Sequence, residues 1–298
     1  MTDIAAAPNC SDKGRSFRTG GTVDGQVDPT NAAQERAWDG TEGGLWAAHA
    51  DLLEQMPARY DAALLDAAGI GPGARVLDIG CGTGSLTRKA ARRAAPGLVV
   101  GVDLSAAMVE VAHTRAAGLG NASFLRADAQ VHPFPTAGVD VVVSRTGASF
   151  FGDAPAAFAN LARATAPGGR LALLTWQAPS RNEWFVEVTA ALAGQPMGGP
   201  PPGVPSPFAL ADPDAVRALL GGAGYADVQL TDVREPAQFG GDPVAACDVM
   251  ADLLGWLLDG RDAAEARGAL LDTMRAHEGP DGVTFGSAAW LVTAIRPG

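Results

Sequence analysis

The residues of this chain that could do chemistry cluster around a glycine-rich run. Residues 76–84 are Val-Leu-Asp-Ile-Gly-Cys-Gly-Thr-Gly, a short apolar stretch followed by a loop with almost no side-chain bulk. Ser85 then suits the N-cap of a helix. A strand, a glycine loop and a helix N-terminus together let a ligand contact the backbone. The run therefore predicts a cofactor site that contains Asp78, Gly80, Cys81, Gly82 and Gly84.

The spacing of the glycines narrows the choice of cofactor. Gly80 and Gly82 could begin the G-x-G-x-x-G dinucleotide fingerprint, but Ser85 stands where its third glycine belongs. Asp78 is a second departure from a nicotinamide site, and no Lys-Ser or Lys-Thr closes the loop as in a P-loop. For the run by itself, a tight structural turn is the alternative.

A second motif ends in a carboxylate. Residues 98–105 are Leu-Val-Val-Gly-Val-Asp-Leu-Ser, which predicts the next strand with Asp103 at its end. A carboxylate at this place can accept hydrogen bonds from both hydroxyls of a ribose. The alternative is a helix cap, but Ser105 can cap the following helix equally well. We therefore expect Asp103, with its neighbour Leu104, in the cofactor site.

Three further motifs follow in order. Residues 124–130 predict a third strand that ends at Asp128. Residues 139–146 predict a buried fourth strand with Ser144 and Arg145 at its carboxyl end, where ligands bind in open α/β sheets. Pro167-Gly-Gly predicts a turn into a fifth strand. Arg145 could pair with a substrate acid, with a carboxylate of the cofactor, or in a structural salt bridge.

Together, the five motifs resemble those of the class I S-adenosylmethionine-dependent methyltransferases, over about residues 70–176. The resemblance implies that the cofactor is S-adenosylmethionine. It also implies that Asp128 accepts from the adenine amino group while the backbone N–H of Ala129 faces a ring nitrogen. A solvated turn acid is the alternative for Asp128.

The elements that position these motifs predict an α/β fold. Helices alternate with strands up to Trp176, which is typical of a doubly wound, mostly parallel sheet. The resemblance implies seven strands with an antiparallel last strand, and residues 283–295, joined across Gly286-Ser287, are expected to form it. We expect a disordered tail over residues 1–30, an N-terminal helical lid over 31–70, and the main domain over 71–298. Lid insertions are expected at about 178–212 and 242–280.

The acceptor site is less defined by the sequence. Trp46 in the N-terminal lid is a predicted cofactor contact, and Phe150, Trp176 and Trp184 are predicted substrate-binding residues, although core packing is the alternative for each. A hydroxyl acceptor would need a general base, and His49 is our prediction for it. No pair of histidines or carboxylates has convincing metal-ligand spacing, so we expect no metal.

Composition limits the partners. Lys and Arg total 22 against 33 Asp and Glu, for a net charge of −11, which disfavours a nucleic-acid substrate. No apolar run approaches the ~20 residues of a membrane span, and no secretion signal is apparent. The sequence thus predicts a cytoplasmic enzyme with a small-molecule substrate and no membrane partner. An oligomer is possible.

The function that these patterns favour is methyl transfer from S-adenosylmethionine to an O, N, C or S atom of a small molecule. One alternative keeps the fold and cofactor but catalyses a non-methylating reaction. Another is a module that only binds the cofactor, and a third is a nicotinamide-dependent oxidoreductase.

Overall fold

A seven-stranded sheet organises the protein. The computed structural model describes residues 26–201, 203–258 and 260–298. The strands are β1 (Val76–Ile79), β2 (Val99–Asp103), β3 (Ala122–Arg126), β4 (Val139–Arg145), β5 (Thr165–Trp176), β6 (Ala226–Arg234), β7 (Ala237–Gln238), β8 (Glu278–Gly279), β9 (Gly282–Phe285) and β10 (Ala288–Ile295). The main sheet has the order β3-β2-β1-β4-β5-β10-β6, and β10 runs antiparallel to both of its neighbours. The predicted fold class is confirmed.

Helices cover both faces of this sheet. They are α1 (Ala32–Trp38), α2 (Thr41–Ala48), α3 (Ala50–Leu53), α4 (Asp61–Ala68), α5 (Ser85–Ala94), α6 (Ala106–Arg115), α7 (Ala154–Ala164), α8 (Glu183–Ala193), α9 (Pro213–Gly222), α10 (Pro243–Leu253) and α11 (Ala263–Ala276). Among the described residues, no helix combines the length and hydropathy needed to cross a bilayer.

The central strands are apolar runs because both of their faces are covered. All four residues of β1 are buried, and β1 pairs in parallel with β2 and β4. Asp78 is the exception to the apolar pattern, and it lies opposite Gly101 on β2. A buried carboxylate on an interior strand of a sheet is costly unless something binds it, so the burial of Asp78 makes it a candidate ligand-binding residue.

The C-terminal strand differs from the prediction. Residues 283–295 do not form one strand: β9 joins β7 and β8 in a small three-stranded sheet, and β10 joins the main sheet. Between them, the Gly286 N–H donates to Glu183 Oε2 and the Ser287 hydroxyl donates to the Glu235 carbonyl. These bonds to distant residues divert the chain out of a continuous ladder.

The N-terminal segment also differs in detail. The helix α2 runs through two glycines, Gly43 and Gly44. A Cβ on Gly43 would lie 2.6 Å from Ser105 Oγ, so this glycine allows α2 to approach the start of α6. Residues 1–25 of the predicted disordered tail lie outside the described residues, whereas Pro29–Asn31 form a short 3₁₀ helix.

Candidate active site

A cavity of about 560 Å³ opens at the carboxyl ends of the parallel strands. Most of the predicted site residues line it: Trp46, Asp78, Gly80, Cys81, Gly82, Asp103, Leu104, Asp128, Ala129, Arg145, Phe150, Trp176 and Trp184. Gly84, Ser144 and His49 are outside this lining. The cavity has one half with three aspartates and another with aromatic and aliphatic side chains.

The glycine loop lines part of this cavity with backbone atoms. Gly80 has φ 63° and lies so close to the next loop that a Cβ would be 2.7 Å from Gly147 Cα. Gly84, with φ 81°, occupies the N-cap position of α5, and no side-chain cap bond is formed there. Ser85 is therefore the first residue of the helix and not its cap, so that detail of the prediction was wrong.

Asp103 presents free acceptor capacity to the cavity. One carboxylate oxygen accepts from Gly82 N at 2.8 Å and the other from Ser105 N at 3.0 Å. A carboxylate oxygen can accept about two hydrogen bonds, so each oxygen keeps one position. Burial raises the pKa of Asp103, and hydrogen bonds from the backbone N–H groups of Ser105, Gly82 and Leu104 lower it. The cap of α6 is made by Ser105 Oγ, which accepts from Met108 N.

Asp78 carries a buried oxygen without a partner. Its Oδ2 accepts from Thr87 Oγ1 at 2.6 Å, whereas Oδ1 has no hydrogen-bond partner among the described residues. Burial raises the pKa of Asp78 to about 7, although the hydrogen bond from Thr87 and the positive charge of Arg145 lower it. An unpaired buried acceptor at a cavity wall suits a cationic ligand group.

Asp128 is fastened to the N-terminal segment. Its Oδ1 accepts from Asn31 Nδ2 and from Gln130 N, both at 2.9 Å, and its Oδ2 accepts from Asp28 N at 3.0 Å. One acceptor position therefore remains on Oδ2. Asn31, which also lines the cavity, accepts from Gly152 N at 3.0 Å. The sequence analysis missed Asn31 because no local motif marks it.

Ser144 and Arg145 differ in their surroundings. Ser144 Oγ donates to the Ile79 carbonyl at 2.6 Å and accepts from Ala148 N, so it ties β4 to β1. Arg145 lines the cavity, but its Nη1 donates to both oxygens of the buried Asp61 at 2.8 and 3.0 Å. Of the alternatives for Arg145, the structure contains the salt bridge.

Aromatic rings form much of the second half of the cavity. Trp184 lies 5.6 Å from Trp176 and stacks on Phe208 at 5.9 Å, measured between ring centroids. Phe185 contacts Phe208 edge to face at 4.8 Å. Such contacts hold rings in fixed orientations, so this wall has a defined shape.

His49 lies away from the cavity lining. Its Nε2 is 4.0 Å from Asp252 Oδ2, and its side chain is about one third exposed. Its role as a general base stays a prediction. Outside the cavity, Glu183, Glu187 and His277 bring three possible ligand atoms within 4.8 Å of one another. His277 Nε2 lies 3.4 Å from Glu187 Oε2 and 3.8 Å from Glu183 Oε1.

Comparison with known proteins agrees with this geometry. A family model described as a methyltransferase domain matches residues 76–169. The chain is 35% identical over 181 residues to nocamycin O-methyltransferase of Saccharothrix syringae, covering 56% of this chain and 64% of the relative. It is 34% identical over 162 residues to demethylmenaquinone methyltransferase of Thermus thermophilus, covering 51% of this chain and 74% of the relative.

The matches differ in extent. The chain spans 54% of the length of the first curated relatives that it matches. The fold is similar to that of a Haemonchus contortus phosphoethanolamine N-methyltransferase in complex with S-adenosyl-L-methionine, with a TM-score of 0.57 and 20% identity. That likeness covers 92% of this chain and 61% of the other. By sequence and fold, the chain belongs to the class I methyltransferase family, whose cofactor is S-adenosylmethionine.

Proposed function

We propose that this protein transfers the methyl group of S-adenosylmethionine to a small-molecule acceptor. The observation that carries the proposal is one cavity with two chemically different halves. The half at β1–β3 holds three aspartates with unused acceptor positions, and the other half is walled by aromatic and aliphatic side chains. One half can bind a cationic, hydroxylated cofactor while the other receives a second molecule.

The free acceptor positions fit the polar groups of this cofactor. Asp103 keeps one acceptor position on each oxygen, which suits the two ribose hydroxyls. The unpartnered Oδ1 of Asp78 suits the ammonium group. The remaining position on Asp128 suits the adenine amino group. The N-terminal helices and the insertions at 178–212 and 242–280 would cover the bound molecules.

The chemistry follows from what each part contributes. When bound, the cofactor supplies a methyl group on a positively charged sulfur; the acceptor lone pair forms the new bond and the electrons of the old bond stay on sulfur. The chain contributes orientation, which can supply up to about 7–11 kcal/mol. Apolar walls formed by Trp176, Trp184 and Phe208 exclude water and favour a reaction in which charge disperses.

The comparisons support a small molecule as the acceptor. The names of two relatives specify nocamycin and demethylmenaquinone, both small organic compounds. The net charge of −11 makes a polyanionic substrate unfavourable.

A label-transfer experiment tests the proposal. Purified protein would be incubated with S-adenosylmethionine labelled in its methyl group and a library of small metabolites. We expect label in at least one library compound, together with S-adenosylhomocysteine. The Asp103→Ala variant would show strongly reduced transfer. Binding of the cofactor without any transfer to the library would favour a binding module or a non-methylating enzyme.

A further inference from the structure

We infer that the acceptor is an uncharged, predominantly apolar molecule with a ring system, bound between α8 and α10. This inference rests on the proposed methyl transfer and names the class of compound that the second half of the cavity selects. We call this half the acceptor pocket; its wall is formed by Trp176, Trp184, Phe185, Phe208, Met250 and Leu254.

The acceptor pocket is shaped for flat, apolar groups. Trp184 and Phe208 are nearly parallel, with 21° between their planes, and Phe185 meets Phe208 edge to face. Met250 on α10 faces the same cavity. Flexible methionine side chains adapt to irregular ligands, while the fixed rings favour stacking against a planar one.

The lining of the acceptor pocket disfavours a charged acceptor. The described lining residues that follow Trp176 include no charged side chain. Arg145 is the one basic residue in the described lining, and its Nη1 is bound by both oxygens of Asp61. A buried phosphate, carboxylate or ammonium group without an oppositely charged partner is strongly unfavourable. The acceptor pocket therefore favours a neutral molecule.

One polar contact is available in the acceptor pocket. Ser206 lines the cavity with 8% of its surface exposed, and its Oγ has no partner among the described residues. A buried hydroxyl requires a hydrogen-bond partner, and a single oxygen or nitrogen on an apolar acceptor would supply it. The other hydroxyl in this wall, on Thr189, already donates to the Phe185 carbonyl.

The solvent-exposed edge of the cavity also carries an apolar side chain. Trp256 lies in the 3₁₀ turn Gly255–Leu258 and lines the cavity, yet 63% of its surface is exposed. Trp256 therefore extends the apolar lining to the solvent-exposed edge of the cavity.

A neutral fluorescent dye tests the inference directly. N-phenyl-1-naphthylamine would be titrated into protein saturated with S-adenosylhomocysteine, and dye fluorescence would report binding. We expect saturable binding to the wild type. The Phe185→Glu variant would weaken it by about 10-fold or more, because a carboxylate would enter the apolar wall. Val186→Glu is the matched control, since Val186 is the next residue of α8, is exposed and lies outside the lining.

A pair of competitors tests the charge preference. 2-Naphthol and 2-naphthyl phosphate share one ring system and differ in charge. We expect 2-naphthol to displace the dye at a concentration about 10-fold or more below that needed for the phosphate, because the described lining residues that follow Trp176 include no cationic side chain.

The outcomes separate this inference from the proposed function. Calorimetry with S-adenosylhomocysteine reports folding and cofactor binding for each variant, independently of the dye. Absent dye binding, equal effects of Phe185→Glu and Val186→Glu with cofactor binding intact, or equal displacement by the two competitors would overturn the inference. Failure of the proposed function would instead appear as wild-type protein that transfers no label, whether or not it binds S-adenosylhomocysteine.

Discussion

Replacing Asp103 by alanine should remove the main polar anchor of the cofactor. Asp103 is 8% exposed, and each of its oxygens keeps one acceptor position after bonding Gly82 N or Ser105 N. A hydrogen bond to a charged group is worth about 1.5–3 kcal/mol. Losing one bond to the ribose should weaken S-adenosylhomocysteine binding by about 10- to 100-fold, and losing both by about 100- to 10,000-fold.

Isothermal titration calorimetry measures this change. Asp153→Ala is the matched control, because Asp153 is an aspartate that caps α7 through Ala156 N and does not line the cavity. We expect Asp153→Ala to lower the free energy of unfolding by about 1 kcal/mol and to leave cofactor affinity within about twofold. Unchanged affinity in Asp103→Ala would refute the role of this carboxylate.

Three further predictions concern the surrounding groups. Because the pKa of Asp78 is raised to about 7, S-adenosylhomocysteine should bind more weakly as the pH falls below 7, and calorimetry should show that Asp78→Asn removes this dependence. In the ligand-free protein, native Asp78 keeps its proton to about pH 7 while the unfolded chain loses it near 3.8. The free energy of unfolding should therefore fall between these values as pH rises, by at most about 4 kcal/mol, and chemical denaturation of Asp78→Asn should lack this slope. Asn31→Ala should weaken cofactor binding by about 5-fold, because Asp128 loses the hydrogen bond from Asn31. Asn31→Asp should weaken it further, because it places a second carboxylate next to that of Asp128. Equal affinity of the wild type and both variants would contradict this. Asp61→Asn should lower the free energy of unfolding by about 3 kcal/mol, because it leaves Arg145, whose side chain is only 13% exposed, without its carboxylate. The exposed Asp66–Arg93 pair gives the control, Asp66→Asn, with a change of about 0.5 kcal/mol.

The sheet could be predicted because its strands carry a local signal. The strands β1, β2 and β4 are buried on both faces, so they appear in the sequence as short apolar runs, and each ends in residues suited to a site. The carboxyl ends of parallel strands lie on one edge. From this rule, Asp78 and Asp103 could be predicted to lie close together, and both line the cavity.

What the sequence could not show depends on distant partners. The break between β9 and β10 is held by Glu183, which lies 103 residues from Gly286. Asn31 reaches Asp128 across 97 residues, and Arg145 meets Asp61 across 84. Hydrophobic periodicity and capping patterns report only on neighbours along the chain, so they could not identify these pairs.

The residues expected in the lid also show that local sequence does not determine tertiary contacts. Trp46 and Trp184 line the cavity, while His49 points toward Asp252 on α10. Trp46 and His49 are three residues apart, but α2 ends at Ala48, and the chain turns at His49 before α3 begins. The direction of a side chain at such a turn follows from tertiary packing and not from local sequence.

A crystal structure with bound S-adenosylhomocysteine is the most direct test of the central claim. We predict the ribose hydroxyls within about 2.7–3.2 Å of the Asp103 oxygens, and the sulfur open toward Trp184 and Phe208. A ligand bound elsewhere, or a sulfur closed off from the acceptor pocket, would contradict the claim that this cavity aligns a methyl donor with an apolar acceptor.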